Sequence, residues 1–116
     1  MLRVNRSPRT DRQIITAITR YVTECFAKET TPRIGELAGR LGISRTRITR
    51  ATKRRTGLTA MTYIHALQVE RAKQLIDAGM TLTRVAYAAG FGTRGTFFRV
   101  LKQVTGITPD CYRRTK

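Results

Sequence analysis

Acidic residues are scarce in this chain, and histidine, cysteine and proline are scarcer. Of 116 residues, 7 are Asp or Glu against 23 Lys or Arg, a formal charge of +16, with one histidine, two cysteines, three prolines and no tryptophan. Each shortage closes a class of function. With His65 as its single histidine, and with no carboxylate pair, nucleophile–base pair or phosphate-cradling glycine loop, the chain holds no readable catalytic constellation. We therefore expect no enzyme and no cofactor. His65 reads as a surface or packing residue of a helix. Cys25 and Cys111 lie too far apart for metal spacing, so no metal site is expected. They read as small buried hydrophobes in a reducing compartment. No apolar run approaches the length of a membrane span, and no apolar stretch follows the early arginines, so neither a membrane anchor nor a secretory signal is expected. Period-two alternation is missing as well, which argues against strands.

What is abundant is positive charge, and it is banded. Acids are absent from Leu37 through Val69 and again from Ala78 to Pro109. An excess of one sign repels itself and is retained when something anionic is bound. Nucleic acid ranks first, an anionic membrane surface second and a merely solubilising charge third. Banding favours particular binding elements over general solubility.

Helix signals recur along the chain. Thr10 or Asp11 caps a first helix running to about Lys28, with Ile14, Ile18, Val22 and Cys25 at helical spacing. Thr31-Pro32 reads as N-cap and first position of a second helix, whose apolar face is Ile34, Leu37, Ala38 and Leu41 and whose stop is Gly42. Ser44 opens a third helix ended by Gly57, and Thr59 a longer fourth to about Ala78. Thr81 opens a fifth ended by Gly90, Thr93 a sixth ended by Gly106, and Thr108-Pro109 a short last one. The expected fold is all-α: two helix-turn-helix units joined by a long central helix, about seven helices in all. The boundaries are a basic tail at 1–9, a first unit at 10–57, a linker helix at 58–79 and a second unit at 80–116.

The two units repeat one another. With a shift of 48, Ile34, Leu37, Ala38, Leu41, Gly42 and Ile43 fall on Leu82, Val85, Ala86, Ala89, Gly90 and Phe91. One extra residue in the second turn makes the shift 49, and Ser44, Arg45, Ile48, Arg50, Lys53, Thr56, Gly57 and Thr59 then fall on Thr93, Arg94, Phe97, Arg99, Lys102, Thr105, Gly106 and Thr108. Helix, tight glycine turn, helix is the helix-turn-helix pattern. At about 100° per residue, Ile48, Ala51, Thr52 and Arg55 share one face of the third helix, and the opposite face holds Thr46, Arg50 and Lys53, flanked by Thr49 and Arg54. In the sixth helix Phe97, Val100, Leu101 and Val104 oppose Gly95, Arg99 and Lys102, flanked by Phe98. The wheel and the repeat select the same outward positions.

Such faces suit the major groove of double-stranded DNA. Arg50 and Arg99 stand where a guanidinium can bind guanine bidentately. Thr46 and Thr49 suit base edges, and Phe98 suits either a thymine methyl or the edge of the core. Lys53, Arg54 and Lys102 lie nearer helix ends, where phosphate contacts are expected. Arg45, Arg94 and Thr96, at the helix starts, complete the candidate set. A fourth helix of some 20 residues spans about 30 Å, close to the separation of about 34 Å between successive major grooves. One monomer would then read about two turns.

The stretch Ile34–Arg113 resembles the DNA-binding domain of the AraC/XylS family of bacterial transcription regulators. The second half carries the signature most fully, in Ala86, Gly90, Phe91, Phe97, Arg99, Lys102, Gly106, Thr108-Pro109 and Tyr112. The length is similar to the stand-alone subgroup typified by MarA and SoxS. That resemblance implies a bacterial cytoplasmic protein that binds asymmetric sites as a monomer and activates transcription by contacting RNA polymerase. The isolated domain of a longer regulator, and a weakly specific nucleoid-type protein, are the alternatives. Four positions depart from the family. Bulky apolar residues usually stand where Ala51 and Thr52 do, which predicts looser packing of the first unit unless neighbours fill the gap. A large side chain often stands where Thr46 does. Gly95 brings no side chain to a reading position and costs about 1 kcal/mol of helix stability.

Overall fold

The structure, a computed structural model, describes residues 7–115. Arg3 and Arg6 of the expected basic tail lie outside the described residues. Among those described there are seven helices and no strand: α1 (Asp11–Lys28), α2 (Ile34–Leu41), α3 (Arg45–Thr56), α4 (Ala60–Asp77), α5 (Leu82–Ala88), α6 (Arg94–Thr105) and α7 (Pro109–Arg114).

Most helices start as their cap residues dictate. Thr10 and Gln13 form a reciprocal capping box at α1. Ser44, Thr59, Thr81, Thr93 and Thr108 each accept a bond from the backbone N–H three residues on. Each satisfies a donor that the helix cannot satisfy itself.

The second helix departs from expectation. Thr31 does not cap it and Pro32 is not its first residue; α2 begins at Ile34, and its N-cap Arg33 makes no side-chain cap bond. The cap comes from another helix. The Tyr21 hydroxyl of α1 accepts from the Arg33 N–H at 2.9 Å and donates to the Glu36 carboxylate. With that donor satisfied from outside, the Thr31-Pro32 pair is free to pack elsewhere, and Pro32 is buried.

Two cores result. The first joins Ile14, Ile18, Tyr21, Val22 and Cys25 of α1 to Leu37, Ala38, Ile48 and Ala51, closed by Ala60 and Ile64. The second joins Val69, Ala72, Leu75 and Ile76 to α5, Phe91, the α6 residues Phe97, Val100 and Leu101, and Tyr112. Each fully buried large side chain contributes about 1.5–3 kcal/mol. The fourth helix is therefore no free-standing rod: its first turns close one core and its later turns found the other. It is also the counterpart of α1, because both have 18 residues and each opens a three-helix unit.

Three expectations about faces are revised. Arg55 is exposed instead of sharing the inner face of α3, and Val104 is 44% exposed at the end of the apolar face of α6. Cys25 is buried, but Cys111 only half so. The looser first unit does not appear. Ala51 and Thr52 are both fully buried, and the Thr52 hydroxyl donates to the Ile48 carbonyl at 2.8 Å. Small side chains let α3 lie close on α1, with Ala51 in one core with Ile14 and Ile18. No described helix is long and apolar enough to cross a membrane, and no described residues cluster as metal ligands.

Candidate nucleic-acid interface

The structure sorts the candidate residues into two groups. Thr46, Arg50, Lys53, Arg99 and Lys102 are exposed, and among the described residues their side chains have no hydrogen-bond or ion-pair partner. Exposed Gly95 has open space where a side chain would begin. Thr49 is half-buried.

The others are already engaged. Arg54 binds Asp11 of α1 bidentately, at 2.7 and 2.9 Å, which ties α3 to the start of α1. Arg94 donates to the Thr83 hydroxyl at 3.0 Å, with its guanidinium 4.9 Å above the Phe98 ring. Phe98 is half-buried and meets Phe97 edge-on at 5.6 Å. Arg45 folds back on α2, so that a Cβ on Gly35 would lie 3.2 Å from its Cζ. Arg45 and Arg94 are repeat equivalents, and so are the positions they reach, Gly35 and Thr83. Both arginines brace the helix before their own. Thr96 is held at the N-terminus of α6, where Thr93 donates to its hydroxyl at 3.0 Å.

Acids account for Arg54 alone among the engaged candidates. Among the described residues, the ion pairs are Arg40–Glu24, Arg54–Asp11 and Arg84–Glu29. The Arg54 bond holds the Asp11 carboxyl below its usual range, and the Arg84 bond does the same for Glu29. No acid reaches Arg50, Lys53, Arg99 or Lys102. Their charge stays uncompensated at matched positions of the two units.

Two features beside these side chains were not legible in the sequence. Arg47 donates to the Arg9 carbonyl at 3.0 Å and holds the segment before α1 against α3. Thirty-eight residues separate the partners, and no local signal announces the pair. His65 is half-buried on α4; burial first, and the positive charge of Arg99 second, lower its pKa below the usual imidazole value. It is neutral at pH 7 and lies within the field of Arg99.

A family model described as a helix-turn-helix domain matches residues 37–115. The chain belongs to the AraC-type helix-turn-helix family. Among relatives within it, an HTH-type transcriptional regulator of Mycobacterium tuberculosis is 36% identical over 83 residues, which is 71% of this chain and 32% of the relative. The chain thus spans about a third of that protein's length. The AraC-type fold also recurs in solved structures. The C-terminal domain of AraT, a response regulator from Geobacillus stearothermophilus, superposes with a TM-score of 0.78 at 22% identity, covering 89% of this chain and 85% of that one. The DNA-binding domain of AdpA, a global transcriptional factor crystallised with a target DNA, gives 0.71 at 20% identity, covering 85% and 91%. At these identities the likeness speaks for the fold.

Proposed function

We propose that this chain is a sequence-specific, double-stranded-DNA-binding transcription regulator that acts as a monomer and inserts α3 and α6 into adjacent major grooves. The observation that carries the reading is the pair of uncompensated cations on each second helix, Arg50 with Lys53 and Arg99 with Lys102, at repeat-equivalent positions. Dimensions support it: the longest extent is 47 Å, enough to cover grooves about 34 Å apart. The 18 residues of α4 span about 27 Å, so modest bending of the DNA brings both grooves into register, at a cost of a few kcal/mol.

In this reading Arg50 and Arg99 bind guanine edges, and Thr46, Thr49 and Phe98 meet bases through methyl or ring contact. Lys53 and Lys102 bind phosphates. Arg54, Arg94 and Thr96 border the DNA from positions fixed by their intramolecular bonds, and Arg45 borders it from its place against α2. On family likeness alone, the bound chain activates transcription through RNA polymerase, either by itself or as the DNA-binding part of a longer regulator. A salt titration tests the core of the reading. Binding to a selected duplex should exceed binding to random duplex by about 10³-fold or more at physiological salt. Equal competition by random duplex would replace it with a weakly specific nucleoid-type protein.

A further inference from the structure

The segment between α1 and α2 makes contacts that neither helix-turn-helix unit needs for its own packing. Glu29, the C-cap of α1, sits at φ 56°, the one described non-glycine residue with positive φ. Glycine would hold that conformation without strain. The glutamate carboxylate is instead bound by both terminal nitrogens of Arg84 on α5, across 55 residues of sequence. Next in the chain, Thr30 presents its carbonyl to Gly90, at the turn between α5 and α6. Any Cβ on Gly90 would lie 2.9 Å from that oxygen and 3.2 Å from Pro32 Cδ. From the other side, Gln68 Nε2 donates to the carbonyls of Ala89 and Gly90, at 3.2 and 3.0 Å. The turn that leads into α6 is thus gripped between the first unit's connector and the middle of α4.

We propose that this connector is a spacing lock: Glu29, Thr30 and Pro32 seat the first unit on Arg84 and the Gly90 turn, and so fix the distance and angle between α3 and α6. The inference deepens the DNA-binding reading and rests on it for its consequence. Glu29 and Arg84 become positioning residues: they touch no DNA, yet decide which separation of two base elements one monomer accepts. A helix shared by two cores sets an approximate spacing. A second point of attachment, off the axis of that helix, removes the remaining freedom to twist about it. This explains why a strained glutamate stands at a cap that glycine would fill. It also gives the Thr31-Pro32 pair a role other than starting α2.

Two measurements test the lock, and the first needs no DNA. Spin labels on Arg55→Cys and Gln103→Cys, in a Cys111→Ser background, report the distance between α3 and α6. The parent should give a narrow distribution; Glu29→Gly and Arg84→Gln should broaden it. Glu29→Gly also relieves the strain at its cap, so its melting temperature should hold, which separates a positioning role from a merely structural one. The exchanged pair Glu29→Arg/Arg84→Glu should restore the narrow distribution, and it decides the matter should a single variant fail to fold. The second measurement is binding to selected duplexes whose two elements are moved apart or together by one base pair. The preference for the original spacing should fall by about fivefold or more in the single variants, with affinity for an isolated element unchanged. Unchanged distance distributions, or an unchanged spacing preference, would overturn the lock. A failure to select any duplex would instead remove the DNA-binding reading, while the label distances still decide whether the lock exists.

Discussion

Where α3 of the first unit turns Ile48, Ala51 and Thr52 inward, α6 of the second turns Phe97, Val100 and Leu101, position for position. The turns differ in the same sense: Ile43 is half-buried, whereas Phe91 is buried with its ring 5.1 Å from Phe97. Outward, the order reverses. Arg45, Arg47, Arg50, Lys53, Arg54 and Arg55 crowd α3, while α6 has Arg94, Arg99 and Lys102. One unit is small inside and densely charged outside; the other is bulky inside and sparsely charged. A repeated backbone accepts both solutions because the supporting helix can move closer when the side chains beneath it shrink. The division also bears on DNA. Phosphate attraction is additive and salt-sensitive, so the first unit should supply more of the affinity and the second a larger share of the stability of the fold.

The largest expected effect comes from the matched core pair. Leu101→Ala should destabilise the chain by about 2–5 kcal/mol. Thr52→Ala should cost no more than about 1 kcal/mol, because it removes one methyl and a hydroxyl bonded within its own helix. Thermal or urea unfolding measures both, and equal losses would erase the distinction between the cores. The turns give the next contrast. Gly90→Ala combines a positive φ of 78° with contact against Thr30 and should cost about 2–4 kcal/mol. Gly42→Ala, at φ 67° with only the Ser7 hydroxyl nearby among the described residues, should cost about 1–2 kcal/mol.

On DNA, Arg50→Ala and Arg99→Ala should each lose about 1–3 kcal/mol at the selected site and relax base preference there. Lys53→Ala and Lys102→Ala should weaken all duplexes alike and lower the salt slope by about 1; loss of preference instead would move the lysines onto bases. Acid should have the smallest effect. The Asp11 and Glu29 carboxyls are held below their usual range by Arg54 and Arg84, so both pairs are intact above an ordinary carboxylate pKa of about 4 and break as pH falls through the lowered values. These pairs are solvent-exposed, so their share of the loss should be small and confined to stronger acid; between pH 7 and 5 the melting temperature should fall only slightly, because half-buried His65 takes up its proton more readily in the unfolded chain.

Much of this fold was legible because caps and stops are local. Ser44, Thr59, Thr81 and Thr93 speak for the helices they begin, and Gly42 and Gly106 for those they end. The exception, Thr31-Pro32, shows the limit: a tyrosine from α1 took over the cap, and no local pattern announces a partner so distant in sequence. The kinship of α1 with α4 was hidden for a related reason. Their buried positions correspond, Ile14, Ile18, Val22 and Cys25 with Ile64, Gln68, Ala72 and Leu75, but the residue types do not, because α4 serves two cores and must hydrogen-bond the Gly90 turn through Gln68. Of the candidate interface, the repeat gave the positions of the free cations. It could not tell them from tethered ones, since Arg54 and Arg94 look the same as Arg50 and Arg99 until Asp11 and Thr83 are seen beside them.

The central claim is that one monomer carries two non-equivalent readers. In vitro selection from a random duplex pool, run in parallel on the parent chain, Arg50→Ala and Arg99→Ala, tests it most directly. The parent should enrich an asymmetric site with two base elements centred about 10 base pairs apart, and each variant should lose base preference within a different one of them. A palindromic site, a single element, or loss at the same bases in both variants would contradict the account.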